Sequence, residues 1–300
     1  GGVGKTTIMK HIHNKLLEET DEFDSVFWVT VSKEFNVREL QREIAKELKV
    51  CISDDEDVSR RARELYAVLS PRKRYVLILD DLWEVFPLER VGIPEPTRSN
   101  GCKLVLTTRS FEVCRKMRCT PVRVELLTEE EALMLFLRKA VGNDTIEMLR
   151  PKLEGIATQV SKECARLPLA IVTVGGSLRG LKRICEWRNA LNELINSMKD
   201  ASDDESEVFE RLKFSYSRLG NKVLQDCFLY CALYPEDHKI WVDELIEYWI
   251  AEELIDDMDS VEAQMDKGHA ILGKLTSSCL LESGTEIYGG EFVRMHDRLP

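Results

Sequence analysis

Tyr75-Val-Leu-Ile-Leu-Asp-Asp81 is an unbroken apolar run that ends in two carboxylates. Five consecutive apolar residues suit a strand buried on both faces, the habit of parallel sheets covered by helices. Two similar runs flank it in the chain, Val26–Val31 (VFWVTV) and Lys103–Thr107 (KLVLT). Between the first two, Val37, Leu40, Ile44 and Leu48 recur at helical spacing. Upstream, Ile8, Ile12 and Leu16 do the same, so the amphipathic face of that helix is expected along this row. Strand and helix in alternation predict a parallel sheet with helices on both faces.

The two carboxylates gain meaning from the chain's first residues. Gly1-Gly2-Val3-Gly4-Lys5-Thr6-Thr7 matches the phosphate loop G-x-x-x-x-G-K-[ST] from its third position onward. Glycines let the backbone curl until successive N–H groups point at phosphate oxygens, and the helix that follows adds the positive end of its dipole. Lys5 then supplies a point charge at the β- and γ-phosphates of ATP or ADP, and the Thr6 hydroxyl a hard oxygen for Mg²⁺. A buried strand ending at Asp80 delivers a second metal oxygen, and Asp81 is placed to orient a water as general base. Thr107-Thr108-Arg109 ends the next strand at the same sheet edge, where Arg109 can read a γ-phosphate. The chain has no initiating Met and opens inside a motif. It is therefore expected to be part of a longer protein, with the first strand of the sheet upstream.

From about Thr128 the strand signal stops. Thr128-Glu-Glu-Glu131 reads as a capping box. Leu153, Ile156, Val160 and Cys164 continue a second helical stripe. Pro168 opens a third element, and Trp187, Leu191, Ile195 and Met198 mark a fourth. These predict a helical bundle. Asp200 to Glu207 (DASDDESE) reads as a surface linker. Beyond it, Asp243 is the expected cap of a helix with Leu245, Ile246, Trp249 and Ile250 on its apolar face. Ser278–Ser283 and Glu291–Met295 flank a Tyr288-Gly289-Gly290 turn and read as a hairpin, which points to a winged helix.

Composition narrows the partners. Of 300 residues, 44% are hydrophobic and 32% charged, as in an ordinary globular protein. No apolar run approaches the roughly 18–20 residues of a membrane helix; the longest, Leu167 to Val174, suits a buried helix or strand. Nine cysteines lack metal-ligand spacing and read as reduced thiols packed as small apolar groups. The net charge is −11, and Ser206 to Pro300 carries 9 Lys+Arg against 19 Asp+Glu. A region that acidic repels a nucleic-acid backbone, so no direct nucleic-acid partner is expected.

These motifs, in this order, resemble the NB-ARC module of plant nucleotide-binding leucine-rich-repeat disease-resistance proteins. The resemblance runs through GGVGKTT at Gly1, FDSVFWVTVSKEF at Phe23, YVLILDDLW at Tyr75 and GCKLVLTTRS at Gly101. It continues with LPLAIVTVGGSL at Leu167, CFLYCALYPEDHKI at Cys227, LIEYWIAEELI at Leu245 and MHD at Met295. Trp83 and the CFLYCALYPED segment are similar to the subgroup with an N-terminal coiled coil. The resemblance implies an α/β P-loop NTPase domain over residues 1–125, a helical first ARC subdomain over 126–205 and a winged-helix second ARC subdomain over 206–300. It carries over Lys5, Thr6 and Thr7 at the phosphates, Asp80 at magnesium, and Arg109 as γ-phosphate sensor. It also implies that Pro168 packs on the base and His296 reaches the β-phosphate of ADP. In family terms ADP holds the parts closed and silent, and exchange for ATP lets the receptor assemble into a homo-oligomer that triggers defence signalling and hypersensitive cell death.

The implied partners are the protein's own coiled coil and leucine-rich repeats, both outside this chain, and a pathogen effector or guarded host protein. The implied location is cytoplasmic, or peripheral at the plasma membrane through parts not present here. Two departures from the family pattern stand out: Arg166 stands where a glycine is usual before Leu167-Pro168, and Arg298-Leu-Pro300 is atypical after Asp297. Two other readings stay open. One is a related switch NTPase, an apoptotic adaptor or a regulator whose winged helix binds DNA, which the acidic charge disfavours. The other is a P-loop phosphotransferase, for which no second cluster to hold an acceptor is visible.

Overall fold

The computed structural model describes residues 2–18, 22–31, 33, 35–53, 57–142, 146–200, 204–235, 238–255, 260–286 and 289–295. Gly1 and His296, both expected at the site, lie outside the described residues, as does Tyr288 of the expected turn. The chain divides into two compact units, one essentially residues 3–124 and the other 125–300.

In the first unit α1 (Lys5–Glu18) leads into β1 (Ser25–Thr30), α2 (Val37–Glu47), α3 (Val58–Leu69) and β2 (Tyr75–Asp80). The one-turn α4 (Leu88–Val91), β3 (Lys103–Leu106) and the short α5 (Phe111–Lys116) follow. The strands form a parallel sheet in the order β1-β2-β3. All six residues of β2 are buried, and the two-residue period of a strand sends them alternately to opposite faces. Tyr75, Leu77 and Leu79 pack with Phe27, Val29, Leu40, Ile44, Leu65 and Leu69 in one core. Val76 and Ile78 pack with Met9 in another. Helices therefore cover both faces, as the alternating pattern predicts.

One detail of α1 differs. Its buried residue is Met9, with Leu16 partly buried, whereas Ile8 and Ile12 are exposed at 45% and 42%. The expected row is thus turned about one residue away from the sheet.

The second unit opens with α6 (Glu129–Val141), whose capping box is formed as expected. The Glu131 backbone N–H donates to Thr128 Oγ1 at 3.2 Å, and the Thr128 N–H donates to Glu131 Oε2 at 2.8 Å. Next come α7 (Ile146–Glu163), α8 (Pro168–Ser177), α9 (Ile184–Ser197) and α10 (Asp204–Ser217). Leu153, Val160, Cys164, Trp187 and Leu191 are buried in one core with Phe136 and Val174. The acidic stretch expected as linker is in part helix, because α10 starts at Asp204. Acidic residues in a first helical turn face the positive end of the dipole, so polarity alone did not mark a loop.

The chain ends in α11 (Lys222–Tyr230), β4 (Ile240–Trp241), α12 (Val242–Ala251), α13 (Val261–Ser277), β5 (Leu281–Thr285) and β6 (Glu291–Met295). The antiparallel order β4-β6-β5 beside these helices is a winged helix, with Trp249 fully buried in its core. Two boundaries differ from expectation. The cap of α12 is Trp241, with Asp243 inside the first turn, so Asp243 acts on the dipole and caps nothing. The first hairpin strand starts at Leu281, because Ser278 still closes α13.

Candidate functional site

The glycine loop needs backbone that side chains disfavour. Gly2 and Gly4 sit at φ +76° and +91°, a region open to glycine at no steric cost. They bracket Val3 and deliver the chain into α1 at Lys5, where the Ile8 N–H closes the first helical bond on the Gly4 carbonyl at 2.9 Å. Lys5, Thr6 and Thr7 occupy the first turn, where backbone N–H groups point out of the helix N-terminus. No acidic side chain lies in that turn to neutralise the dipole. The result is an anion seat.

Parallel strands bring their C-terminal ends to one edge, and there the expected groups converge. Thr6 Oγ1 donates to Asp80 Oδ1 at 3.3 Å, and Thr107 Oγ1 donates to the same oxygen at 2.6 Å. Asp80 is 3% exposed, and burial pushes its pKa above the ordinary carboxylate range. The two hydroxyls and the charge of Lys10 pull against that rise, while Asp81 adds to it. A carboxylate and a hydroxyl oxygen in contact at the mouth of a phosphate loop form the hard donor set that Mg²⁺ takes together with phosphate oxygens. The residues present fit that ion.

Asp81 points its chemistry elsewhere. Its φ of +55° is left-handed, a strain of order 1–3 kcal/mol for a non-glycine residue. Its N–H donates to Thr107 Oγ1 at 2.9 Å, which holds the turn. Arg109 Nε lies 3.4 Å from Asp81 Oδ1, with the two side chains only 19% and 13% exposed. Trp83 Nε1 donates to Asp81 Oδ2 at 2.8 Å, and the Arg109 guanidinium carbon lies 4.6 Å from the Trp83 ring centroid.

So Thr6, Asp80, Asp81 and Arg109 are brought together by the first unit, with Lys5 and Thr7 on the same helix turn as Thr6. Pro168 belongs to the second unit, where it is the first residue of α8. Thr107 and Trp83 were missed as site residues. Thr107 gave a signal, since the residue that closes one strand sits beside the one that closes its neighbour; for Trp83 the sequence offers none.

Known proteins settle what this arrangement belongs to. The NB-ARC domain matches residues 1–146, and the disease resistance protein winged helix domain matches residues 233–299. The chain carries an NB-ARC domain. Relatives in Arabidopsis thaliana include the disease resistance proteins UNI, RPS5 and SUMM2, at 40%, 38% and 39% identity over 99% of this chain. The chain spans about a third of their length, 33% of each. Among solved structures, the Aeropyrum pernix ORC2 protein aligns at TM-score 0.44 and 13% identity, covering 100% of this chain and 82% of that one. That likeness is too remote to bear on function. The NB-ARC fold is a nucleotide-binding fold, and the P-loop edge described above is where this chain carries it. No described helix is long and apolar enough to cross a membrane.

Proposed function

We propose that this chain is the nucleotide switch of a plant immune receptor, holding ADP in a silent state and ATP in an assembling one. The observation that carries the reading is the shared oxygen Asp80 Oδ1, which receives both the phosphate-loop Thr6 and the strand-end Thr107. Glycine-rich turns and acidic strand ends each occur for structural reasons. Their contact at 3.3 Å is what a magnesium–phosphate seat requires.

In this reading the backbone of Gly1 to Gly4 and the Lys5 ammonium hold the phosphates. Thr6 and Asp80 would hold a magnesium ion, which would supply neutralisation of the phosphate charge. Arg109 reads the γ-phosphate. Pro168 contacts the base and His296 the β-phosphate of ADP, so the helical subdomain (126–205) and the winged-helix subdomain (206–300) respond to which nucleotide is bound. A nucleotide shifts such an equilibrium only by its difference in affinity for the two arrangements, and a contact made by ADP alone provides one.

Hydrolysis in this scheme is slow for a physical reason. Both oxygens of Asp81, the expected general base, are already engaged, one by Arg109 and one by Trp83. A water would have to share those oxygens with Arg109 and Trp83. The reading also takes over the partners that the resemblance implies: a coiled coil and leucine-rich repeats in the same protein, an effector or guarded host protein, further copies of the receptor on activation, and a cytoplasmic or membrane-peripheral site of action. The acidic winged helix serves as a packing module and not as a DNA reader.

The test is to identify the nucleotide that co-purifies with the intact protein by chromatography and mass spectrometry. Stoichiometric ADP, exchangeable for ATP when magnesium is present, is the expected result. Protein that purifies without nucleotide and takes up neither would overturn the reading.

A further inference from the structure

Trp83 does more than occupy one oxygen of Asp81. Its indole joins both members of the Asp81–Arg109 pair at once: Nε1 donates to Asp81 Oδ2 at 2.8 Å, and the ring face lies 4.6 Å from the Arg109 guanidinium carbon. A second cation, Lys33 Nζ, lies 5.3 Å from the same ring centroid. Trp is the strongest cation–π partner among the side chains. Its indole N–H can only donate, which suits the carboxylate beside it.

An arginine held in this way has lost its rotamer freedom before any ligand arrives. An unrestrained arginine would lose it on engaging a phosphate. The backbone supports the same geometry from below: Asp81 takes a left-handed turn at φ +55°, and Thr107 pins that turn through the Asp81 N–H at 2.9 Å. Three constraints from different parts of the fold thus converge on where the Arg109 guanidinium sits. Only two of them, the Asp81 carboxylate and the Trp83 ring, touch it directly.

We infer that Trp83 is the positioning residue of the γ-phosphate sensor: by clamping Asp81 with its N–H and Arg109 with its ring, it pre-sets the arginine and so sets how strongly this site prefers ATP to ADP. This deepens the nucleotide-switch reading and rests on it. ADP has no γ-phosphate, so its affinity is indifferent to Trp83. ATP binding uses Arg109 and depends on it. A residue that merely helped the domain to fold would weaken both nucleotides together.

The experiment is a calorimetric titration of the nucleotide-free intact protein with Mg²⁺–ADP and with a non-hydrolysable Mg²⁺–ATP analogue, for wild type, Trp83→Ala and Trp83→Phe. Trp83→Ala should lose about five- to tenfold in analogue affinity, as expected for a partly buried cation–π contact, while ADP affinity stays within about twofold. Trp83→Phe keeps a ring face and loses the bond to Asp81, so it should fall between. Equal losses for both nucleotides, no loss, or tighter analogue binding in Trp83→Ala would overturn the assignment. Wild-type protein that binds neither nucleotide would instead sink the nucleotide site itself, and Trp83's role with it.

Discussion

Thr107 donates its hydroxyl proton to Asp80 Oδ1 at 2.6 Å and accepts the backbone N–H of the next residue, Asp81, at 2.9 Å. One side chain just past β3 thereby fixes both the Asp80 carboxylate and the strained turn that aims its neighbour at Arg109. Thr6 approaches the same Asp80 oxygen from the phosphate loop. The site is thus tied together by two hydroxyls that donate to one oxygen of Asp80.

Removing that tie should be costly. Thr107→Val keeps the shape and deletes both bonds, leaving the Asp81 N–H without its partner and Asp80 with one hydroxyl fewer. The expected loss is on the order of 1–3 kcal/mol of stability and about tenfold in magnesium–nucleotide affinity. Thr107→Ser should restore most of both. Chemical denaturation and titration calorimetry check the pair, and a Val variant indistinguishable from wild type would contradict the role.

Asp80 gives a pH prediction of definite sign. Burial raises its pKa above the ordinary range, so the folded chain holds this proton to higher pH than the unfolded chain. Its contribution to stability is greatest below the unfolded value and is lost as pH rises through the folded one. At neutral pH the carboxylate is a net cost to the metal-free fold. Asp80→Asn should therefore raise the Tm of nucleotide-free protein at pH 7 by about 2–4 °C, on the order of 1 kcal/mol. The gain should vanish as pH falls below the usual carboxylate range, and magnesium–nucleotide affinity should drop at all pH values where Asp80 ionises. A lower Tm at pH 7 would contradict the assignment of burial as the main cause.

Much of this was legible beforehand, and the misses have physical causes. The run at Tyr75 suits a strand buried on both faces, because its five residues before the acids are all apolar. The glycine loop and the strand-end acids name backbone and charge requirements that few other residue types meet. Trp83 stayed hidden as a site residue because a ring between a cation and a carboxylate is a tertiary arrangement with no spacing signature. The α1 face was misjudged because two adjacent rows, one through Ile8 and Ile12 and one through Met9, are both apolar. Periodicity alone does not choose which row meets the sheet. Asp243 is of a residue type that suits a cap, yet a helix can begin without any side-chain cap, as α12 does at Trp241.

Arg166 can now be explained. It and Ala165 are successive left-handed residues, at φ +56° and +49°, in the turn between α7 and α8. A glycine at position 166 would adopt that backbone without a Cβ penalty of roughly 1–2 kcal/mol. Arg166→Gly should accordingly raise Tm by about 2–4 °C, the equivalent of roughly 1 kcal/mol after the entropy that glycine returns to the unfolded chain. A drop in Tm on thermal denaturation would show that the Arg166 side chain contributes more than its backbone costs.

The second unit has a close seam that a single methyl group would spread. A Cβ at Gly176 in α8 would come within 2.6 Å of the Ser278 backbone at the end of α13. Gly176→Ala should cost roughly 1–3 kcal/mol and speed hydrogen exchange near residues 275–281. Gly273 is the control: it lies in α13 with nothing within 4 Å of its would-be Cβ. There an alanine should stabilise by about 0.5–1 kcal/mol. Equal effects at the two positions would contradict the seam.

The central claim is that Lys5, Thr6 and Asp80 together hold a magnesium-bound adenine nucleotide. Calorimetric titration of the intact protein and of Lys5→Arg with ADP, with and without Mg²⁺, tests it most directly. The account predicts saturable one-to-one binding that strengthens with Mg²⁺ in the wild type and is abolished in Lys5→Arg, the longer, planar guanidinium being unable to act as a point charge inside the loop. Retained ADP affinity in a correctly folded Lys5→Arg protein would contradict it.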